Sequence, residues 1–255
     1  IKALPSYGSE PSIYFGAYVK DGQSQIANLA DFESHAQKPV AILMWYQGWG
    51  VTDGKQYFQQ EWMDQTRSHG SIPMITWEPW NYRRGLNQRD YQLSDIYNGA
   101  YDEYITRWAN DSRNWGHPFF IRFAHEMNAS NYPWSEQTNG NNSGDYVRAW
   151  RHIHDIFTSL GATNVSWVWA PNVEYDGTIP LDGLYPGDAY VDWVGMDGYN
   201  GGSTLAWGGW QSFAQIFTPT YNRLQQIAPS KPIVVSEAAS SEFGGSKPDW
   251  ITDAL

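Results

Sequence analysis

Short apolar segments recur along this chain, and between them lie stretches with helical periodicity. No other feature of the sequence limits the fold as much. The apolar segments are SIYFGAYV (12–19), PVAILMWYQ (39–47), SIPMITWEPW (71–80), PFFIRFAHE (118–126), VSWVWAPN (165–172), YVDWVGMDGY (190–199) and KPIVVSEAAS (231–240). Their near-continuous apolar character is that of strands covered on both faces, as in parallel sheets. In GDYVRAWRHIHDIFTSLGAT, Val147, Trp150, Ile153, Phe157 and Leu160 form one helical stripe, with Asp145 as expected N-cap and Gly161 as the stop. In SDIYNGAYDEYITRWAN, Ile96, Ala100, Tyr104 and Trp108 recur every four residues. In TPTYNRLQQIAP, Thr218 and Pro219 are the expected N-cap and first helical residue, with Tyr221, Leu224 and Ile227 on the buried side.

Repeated strand–helix units imply a parallel sheet. This many units in 255 residues favour a single α/β domain, residues 1–255, of the (β/α)8 TIM barrel type. No GxGxxG loop follows the first strand, which disfavours a dinucleotide-binding doubly wound sheet. Seven strands are evident and Leu255 falls within the seventh helix. A barrel needs an eighth strand, so the expectation is that the natural protein continues beyond this chain.

Composition narrows the ligand. The net charge is −11, which repels nucleic acid, because that recognition rests on Lys and Arg neutralising phosphates. No apolar run reaches the roughly 20 residues of a membrane-spanning helix. With no Cys, thiolate chemistry and Cys-based zinc sites are excluded. Aromatic residues reach 16%, with 15 Trp and 17 Tyr. Some fill the core; others suit an open cleft in which flat sugar faces stack on indole rings. A polysaccharide is therefore the expected partner, with no nucleic acid and no membrane, and the protein is expected to be a monomer.

Barrel active sites lie at the C-terminal ends of the strands. The third segment ends in Trp77-Glu78-Pro79-Trp80, the fourth in His125-Glu126-Met127-Asn128, the sixth in Asp197-Gly198-Tyr199-Asn200 and the seventh in Ser236-Glu237. Strands four and seven lie across a barrel mouth from each other, so Glu126 and Glu237 can face each other over a bound sugar. Two such carboxylates, one protonated and one ionised, are what glycosidic-bond cleavage requires. The competing reading makes each one a buried ion-pair partner of an Arg such as Arg122. Glu78 would bond a substrate hydroxyl at a distal subsite or cap a loop. Asp197 is expected to be structural, and Glu174 and Asp176 to face solvent. Trp45, Trp49, Trp80, Trp134 and Trp207, at or just past strand ends, are candidate sugar platforms. Trp108, Trp150 and Trp167 are expected in the interior. His152 and His154 do not share a helical face, and neither a catalytic metal nor a cofactor is expected.

IRFAHEMN…YPW resembles the acid/base motif of glycoside hydrolase family 26. That family belongs to the barrel glycosidases with the acid/base on strand four and the nucleophile on strand seven. Most of that group place Asn before the acid/base; family 26 places His, as His125 stands here. SIPMITWEPW, YPGDAYVDWVGMDGYN (185–200) and KPIVVSEAASSEFGG (231–245) look like further motifs of the family, in order, and the resemblance spans about 12 to 255. It implies a retaining mechanism with Glu237 as nucleophile and Glu126 as acid/base. It further implies that His125 bonds the sugar's 2-hydroxyl and that Tyr199 holds Glu237. Arg122 and Asn128 would contact the sugar or support those that do.

The family is best known for endo-β-1,4-mannanases and includes lichenases, which cleave mixed-linkage β-1,3-1,4-glucan, and β-1,3-xylanases. Mannanases commonly carry Gly after the motif's Asn, and Thr-Gly after the nucleophile. Here Ala129 follows Asn128, and Ala238-Ala239-Ser240 follow Glu237. The YPW run (132–134) and the EAASSEFGG ending (237–245) look more like the lichenase branch. The expectation is a secreted bacterial endo-glycanase acting on mixed-linkage glucan. A mannanase is the alternative within the family, and a non-catalytic polysaccharide-binding protein the alternative outside it.

Overall fold

The computed structural model describes residues 13–19, 25–51, 54–206 and 208–254. Seven strands form one sheet: β1 (Gly16–Tyr18), β2 (Ile42–Gly48), β3 (Ile72–Glu78), β4 (Phe119–Phe123), β5 (Val165–Trp169), β6 (Trp193–Asn200) and β7 (Ile233–Ser240). Their order in the sheet is their order in the chain. β1 pairs with β2, β4 with β5, β5 with β6 and β6 with β7, all in parallel. Each strand coincides with one of the seven apolar segments, β2 and β6 running one residue past theirs, to Gly48 and Asn200. A short antiparallel ribbon joins Gly50–Val51 to Gly54–Lys55.

The helices are α1 (Gln25–Ala36), α2 (Gln60–His69), α3 (Leu93–Tyr97), α4 (Asp102–Trp115), α5 (Asp145–Ser159), α6 (Phe213–Ile227) and α7 (Lys247–Ala254). Among the described residues, no helix is long and apolar enough to cross a membrane.

The chain divides into two units, Ile1–Trp45 with Gln59–Ile75, and Tyr46–Phe58 with Thr76–Leu255. In the first, Val19, Leu29, Val40 and Leu43 form the core, with Phe15, Ile26 and Phe32 packed against them. Polar links tie its two helices to each other and to the segments leading into β2 and β3. Glu33 on α1 accepts from the Val40 amide (2.6 Å) and lies 3.1 Å from His69 Nε2 at the end of α2. Ser71 Oγ donates to the Val40 carbonyl at 2.6 Å.

The second unit holds an aromatic core. Trp49 and Trp108 each lie 4.9 Å from Trp77, and Trp150 lies 5.9 Å from Phe123. Trp108, Trp150 and Trp167 are interior, as their positions within helix and strand stripes imply. Here the high aromatic content serves packing, since each such ring removes about 150–250 Å² from water.

Three helix expectations need correction. The 94–110 stripe is not one helix: it breaks between α3 and α4 at Gly99, whose φ of 91° suits glycine, and Ala100 is exposed. Asp145 is the first residue of α5, not its cap; Gly144, at φ 85°, precedes it, and Asp145 Oδ2 accepts from the Asn142 amide. α6 starts a turn and a half before Thr218. Ser212 caps it in a reciprocal box with Gln215, whose amide donates to Ser212 Oγ while its Oε1 accepts from the Ser212 amide. Pro219 therefore lies inside the helix, where its missing N–H leaves the carbonyl four residues back without its helical donor. With the helix entered earlier, the buried stripe is Ile216, Phe217, Thr220 and Leu224, and Tyr221 is 38% exposed.

Candidate active site

The site is built at the carboxyl ends of β3, β4, β6 and β7, within the second unit. All five residues of β4 are buried. Beyond Phe123 the chain stops behaving as a strand. Ala124 (φ 44°) and Glu126 (φ 51°) both adopt left-handed backbone, which non-glycine residues avoid. The distortion is held from both sides: the Ala124 amide donates to the Trp77 carbonyl at 3.0 Å and the Glu126 amide to the Ala170 carbonyl at 2.8 Å. Such backbone costs on the order of 1–3 kcal/mol per residue and collects at functional sites. Here it fixes the direction in which the Glu126 side chain leaves the strand end.

Arg122, on β4, is fully buried and is the hub of the site. Its Nε donates to Thr76 Oγ1 (2.9 Å), Nη1 to Asp197 Oδ2 (2.7 Å) and Nη2 to Glu237 Oε1. A bulge brings the two carboxylates together. Met196 pairs with Val235 but the next residue, Asp197, pairs with Glu237, so Ser236 is the extra residue in β7. Tyr199 Oη donates to Glu237 Oε2. Tyr46, at the end of β2, packs its ring 5.8 Å from His125 and shares in the bonding of Glu237.

The two catalytic candidates are held in opposite protonation states. Burial pushes the Glu237 carboxyl up, but the Arg122 charge and the further lowering influences, among them the hydrogen bonds from Tyr199 and Arg122, together outweigh it and bring its pKa down to about 2. Burial raises Glu126 to about 7, helped by the negative charge of Glu237; Asn172 Nδ2, donating to Glu126 Oε1 at 2.7 Å, opposes the rise. At pH 5 one group is a carboxylate and the other a carboxylic acid. Such opposed states are what a nucleophile and a proton donor require.

His125 is 1% exposed. Its Nε2 lies 3.1 Å from Tyr132 Oη and 4.0 Å from Glu237 Oε1. Burial, then the Arg122 charge, lowers its pKa to about 3, so the ring is neutral. Tyr132 stacks on Trp134 at 4.5 Å, and Trp80 meets both edge-on. Glu78 Oε2 accepts from Trp80 Nε1 at 3.0 Å, and burial raises its pKa to about 7. Among the described residues His125, Asp197 and Glu237 could offer a metal three ligand atoms within 4.8 Å of one another. The Arg122 guanidinium already bonds both carboxylates, and its fixed charge opposes a second cation there.

The sequence model of Glycosyl hydrolase family 26 matches residues 5–248. The chain belongs to this family. It is 40% identical, over 99% of its length, to endoglucanase H of Acetivibrio thermocellus, and spans 27% of that protein. It is 32% identical to a Vibrio beta-1,3-xylanase over 41% of its own length and 22% of the xylanase. Among solved structures, the family 26 domain of a Prevotella bryantii endo-beta-mannanase/endo-beta-glucanase matches 95% of this chain and 81% of its own, with a TM-score of 0.66 at 17% identity. The Bacillus subtilis mannanase matches 97% and 85%, with a TM-score of 0.63 at 18% identity. At such identities the likeness is one of fold, the (β/α)8 barrel.

Within this family 26 chain, Glu126, Glu237, His125, Tyr199 and Glu78 gather at one site. Arg122 and Asn128 do not meet a substrate: both are fully buried and support others. Asn128 exchanges two 2.9 Å bonds with the Asn172 backbone and so fixes the residue that bonds Glu126. The ion-pair reading holds for Glu237, whose partner is Arg122, and the same pair prepares its ionised form.

The sugar-platform assignments need the largest correction. Trp49 is 0% exposed, packed against Trp77, Tyr101, Tyr104 and Phe123. Trp45 is buried edge-on to Trp62 in the first unit, and Trp134 is buried under Tyr132. None of these three has a face for a sugar. Trp80 keeps a partly exposed ring. Trp207 lies outside the described residues. The other accessible aromatics of the site are tyrosines: Tyr46 and Tyr199 are each about one-third exposed, and Tyr132 is half-buried. Neighbours on a strand face opposite sides, so a buried Trp45 turns Tyr46 the other way. Tyr46, Tyr132 and Asn172 are the contributors that the strand-end inventory passes over.

Proposed function

We propose that this chain is a secreted, retaining endo-β-glycanase that cleaves mixed-linkage β-1,3-1,4-glucan, acting as a single catalytic domain and a monomer. The observation that carries the reading is the opposed protonation of two carboxylates, Glu237 at about 2 and Glu126 at about 7. In the first step a Glu237 oxygen forms a bond to the anomeric carbon while the glycosidic C–O bond breaks. Glu126 gives its proton to the leaving oxygen. In the second step Glu126, now a carboxylate, takes a proton from water as the water oxygen bonds the anomeric carbon and Glu237 departs. Esterified Glu237 no longer carries the charge that raises Glu126, so Glu126 becomes a weaker acid's opposite: more readily ionised and suited to act as the base. Tyr199 keeps Glu237 ionised and fixed, and Trp80, Tyr132 and Tyr46 offer the accessible aromatic surface.

The choice of glucan is supported by the 40% identity to a protein named as an endoglucanase and by the Ala-Ala-Ser run after Glu237. The mannanase alternative has its support in the structural neighbours, whose identity of 17–18% speaks to fold alone. Reducing-sugar release from barley β-glucan and galactomannan, measured side by side, tests the substrate. Release from galactomannan alone refutes the glucan assignment. Loss of release in Glu237→Ala, with oligosaccharide binding kept, separates an enzyme from a binding protein. Proton NMR of the first product tests retention at the anomeric carbon.

A further inference from the structure

The site contains a buried polar atom that the two-carboxylate mechanism does not use. His125 Nδ1 is buried and has no hydrogen-bond partner. The nearest acidic atom is Glu78 Oε1, at 3.9 Å. That is too long for a hydrogen bond. It is the right gap for one intervening oxygen: an atom about 2.8 Å from each end subtends an angle of about 90°. Glu78 itself cannot close the gap, because its other oxygen is committed to Trp80 Nε1 at 3.0 Å. On the opposite side of the imidazole, Nε2 faces Tyr132 Oη and Glu237 Oε1. The same ring therefore borders both the nucleophile and the Glu78 gap.

We infer that Glu78 and His125 form a two-point clamp for one ring hydroxyl of the sugar seated beside Glu237, and that Glu78 thereby determines which sugar the site accepts. The inference rests on the glycoside-cleaving reading of the site and names the residue that would set its specificity. In the clamp Tyr132 Oη donates to Nε2, Nδ1 carries the proton and donates to the sugar oxygen, and the sugar hydroxyl donates to Glu78 Oε1. A hydroxyl is both donor and acceptor and satisfies both ends. A sugar that turns this hydroxyl elsewhere, as an epimer does, leaves a buried donor and a carboxylate oxygen unpaired, which is the strongest form of discrimination a polar site has. Glu78 is thus a substrate contact next to the reacting centre, not a distal or loop-capping residue.

The substitution Glu78→Gln separates this role from a structural one. The amide oxygen can still accept from Trp80, but the second position becomes an N–H donor. A residue that only holds Trp80 would tolerate the change. The experiment is calorimetric titration, at pH 8 where Glu78 is ionised, of cellotetraose and mannotetraose into Glu126→Gln, which does not turn over substrate, and into the same protein carrying Glu78→Gln. The expected result is a loss of about tenfold or more in affinity for the preferred series, with a smaller ratio between the two series. Glu78→Asp, which withdraws the carboxylate by one methylene, should reproduce the loss and stands in if Glu78→Gln does not fold. Unchanged affinities and ratio overturn the clamp, as does an absence of binding by either series. Reducing-sugar release by the unsubstituted chain reports separately on the hydrolase. Cleavage with a Glu78-independent ratio overturns the clamp alone; a Glu78-dependent ratio without cleavage overturns the hydrolase alone.

Discussion

Replacing Tyr199 by Phe tests how the nucleophile is kept ionised. The ring stays and only the hydroxyl that donates to Glu237 Oε2 is lost. A hydrogen bond to a charged group contributes about 1.5–3 kcal/mol. Since 1.36 kcal/mol corresponds to one pKa unit, the Glu237 pKa should rise from about 2 to about 3–4. The pH dependence of kcat/KM reports the free enzyme. Its acid limb follows Glu237, because activity is lost as the nucleophile gains a proton. Its basic limb follows Glu126, because activity is lost as the acid ionises through about 7. Tyr199→Phe should therefore move the acid limb up by about one to two units and leave the basic limb in place. Initial rates of reducing-sugar release from about pH 1 to pH 9, at substrate well below KM, measure both limbs. Tyr46 still bonds Glu237 in the variant, so a shift at the lower end of the range is consistent with the reasoning. A uniform fall in kcat/KM with an unmoved acid limb would refute it, and would mean that Tyr199 orients Glu237 without tuning its charge.

Other perturbations separate the remaining roles. Asn172→Ala removes a donor that favours ionised Glu126, so the basic limb should move to higher pH, by about one unit, with the acid limb fixed. Glu126→Gln removes a carboxyl whose folded pKa is raised, to about 7. Such a group costs stability increasingly as pH rises from its unfolded value through the folded one. The variant should therefore melt higher than the parent at pH 8 and equally at pH 4, by up to about 3 kcal/mol in urea titrations at the higher pH. Trp49→Ala should cost about 3–5 kcal/mol of stability, whereas Trp80→Ala should cost less and raise KM; equal stability losses would contradict the burial assignment. Arg122→Met leaves Asp197 and Glu237 without their cation and should destabilise the chain by about 3–5 kcal/mol in the same titrations at pH 7.

Much of the fold is legible in the sequence because the strand segments are near-continuously apolar and stand apart, although β1 and β7 leave residues exposed. The limits of helices are less legible. Ser212 and Gln215 form a capping box readable in principle, yet the Thr218-Pro219 pair gives a stronger local start signal. It is overridden because Ile216 and Phe217 need burial. The catalytic candidates were visible as strand-end carboxylates, but their geometry was not. No residue type signals left-handed backbone at Ala124 and Glu126, and nothing in KPIVVSEAAS marks Ser236 as the bulge that sets Glu237 beside Asp197. The aromatic assignments failed for a related reason. Position at a strand end does not state which face a side chain takes, and Trp45, Trp49 and Trp134 take the apolar one.

Arg122 shows how the hidden geometry and the chemistry are linked. From sequence it is one cation in a strand, as compatible with a structural ion pair as with a catalytic site. In the fold the bulge in β7 delivers a second carboxylate to the same guanidinium, while the left-handed turn at Glu126 leads the other catalytic candidate away to Asn172. One carboxyl is thus bonded to the buried cation and the other is not. Both are buried, so burial alone would raise both; the Arg122 cation and the Tyr199 hydroxyl, both bonded to Glu237 and not to Glu126, separate them. The division into nucleophile and acid is therefore set by backbone irregularities in β4 and β7 as much as by the two Glu residues, and a straight β7 carrying the same sequence would not make it.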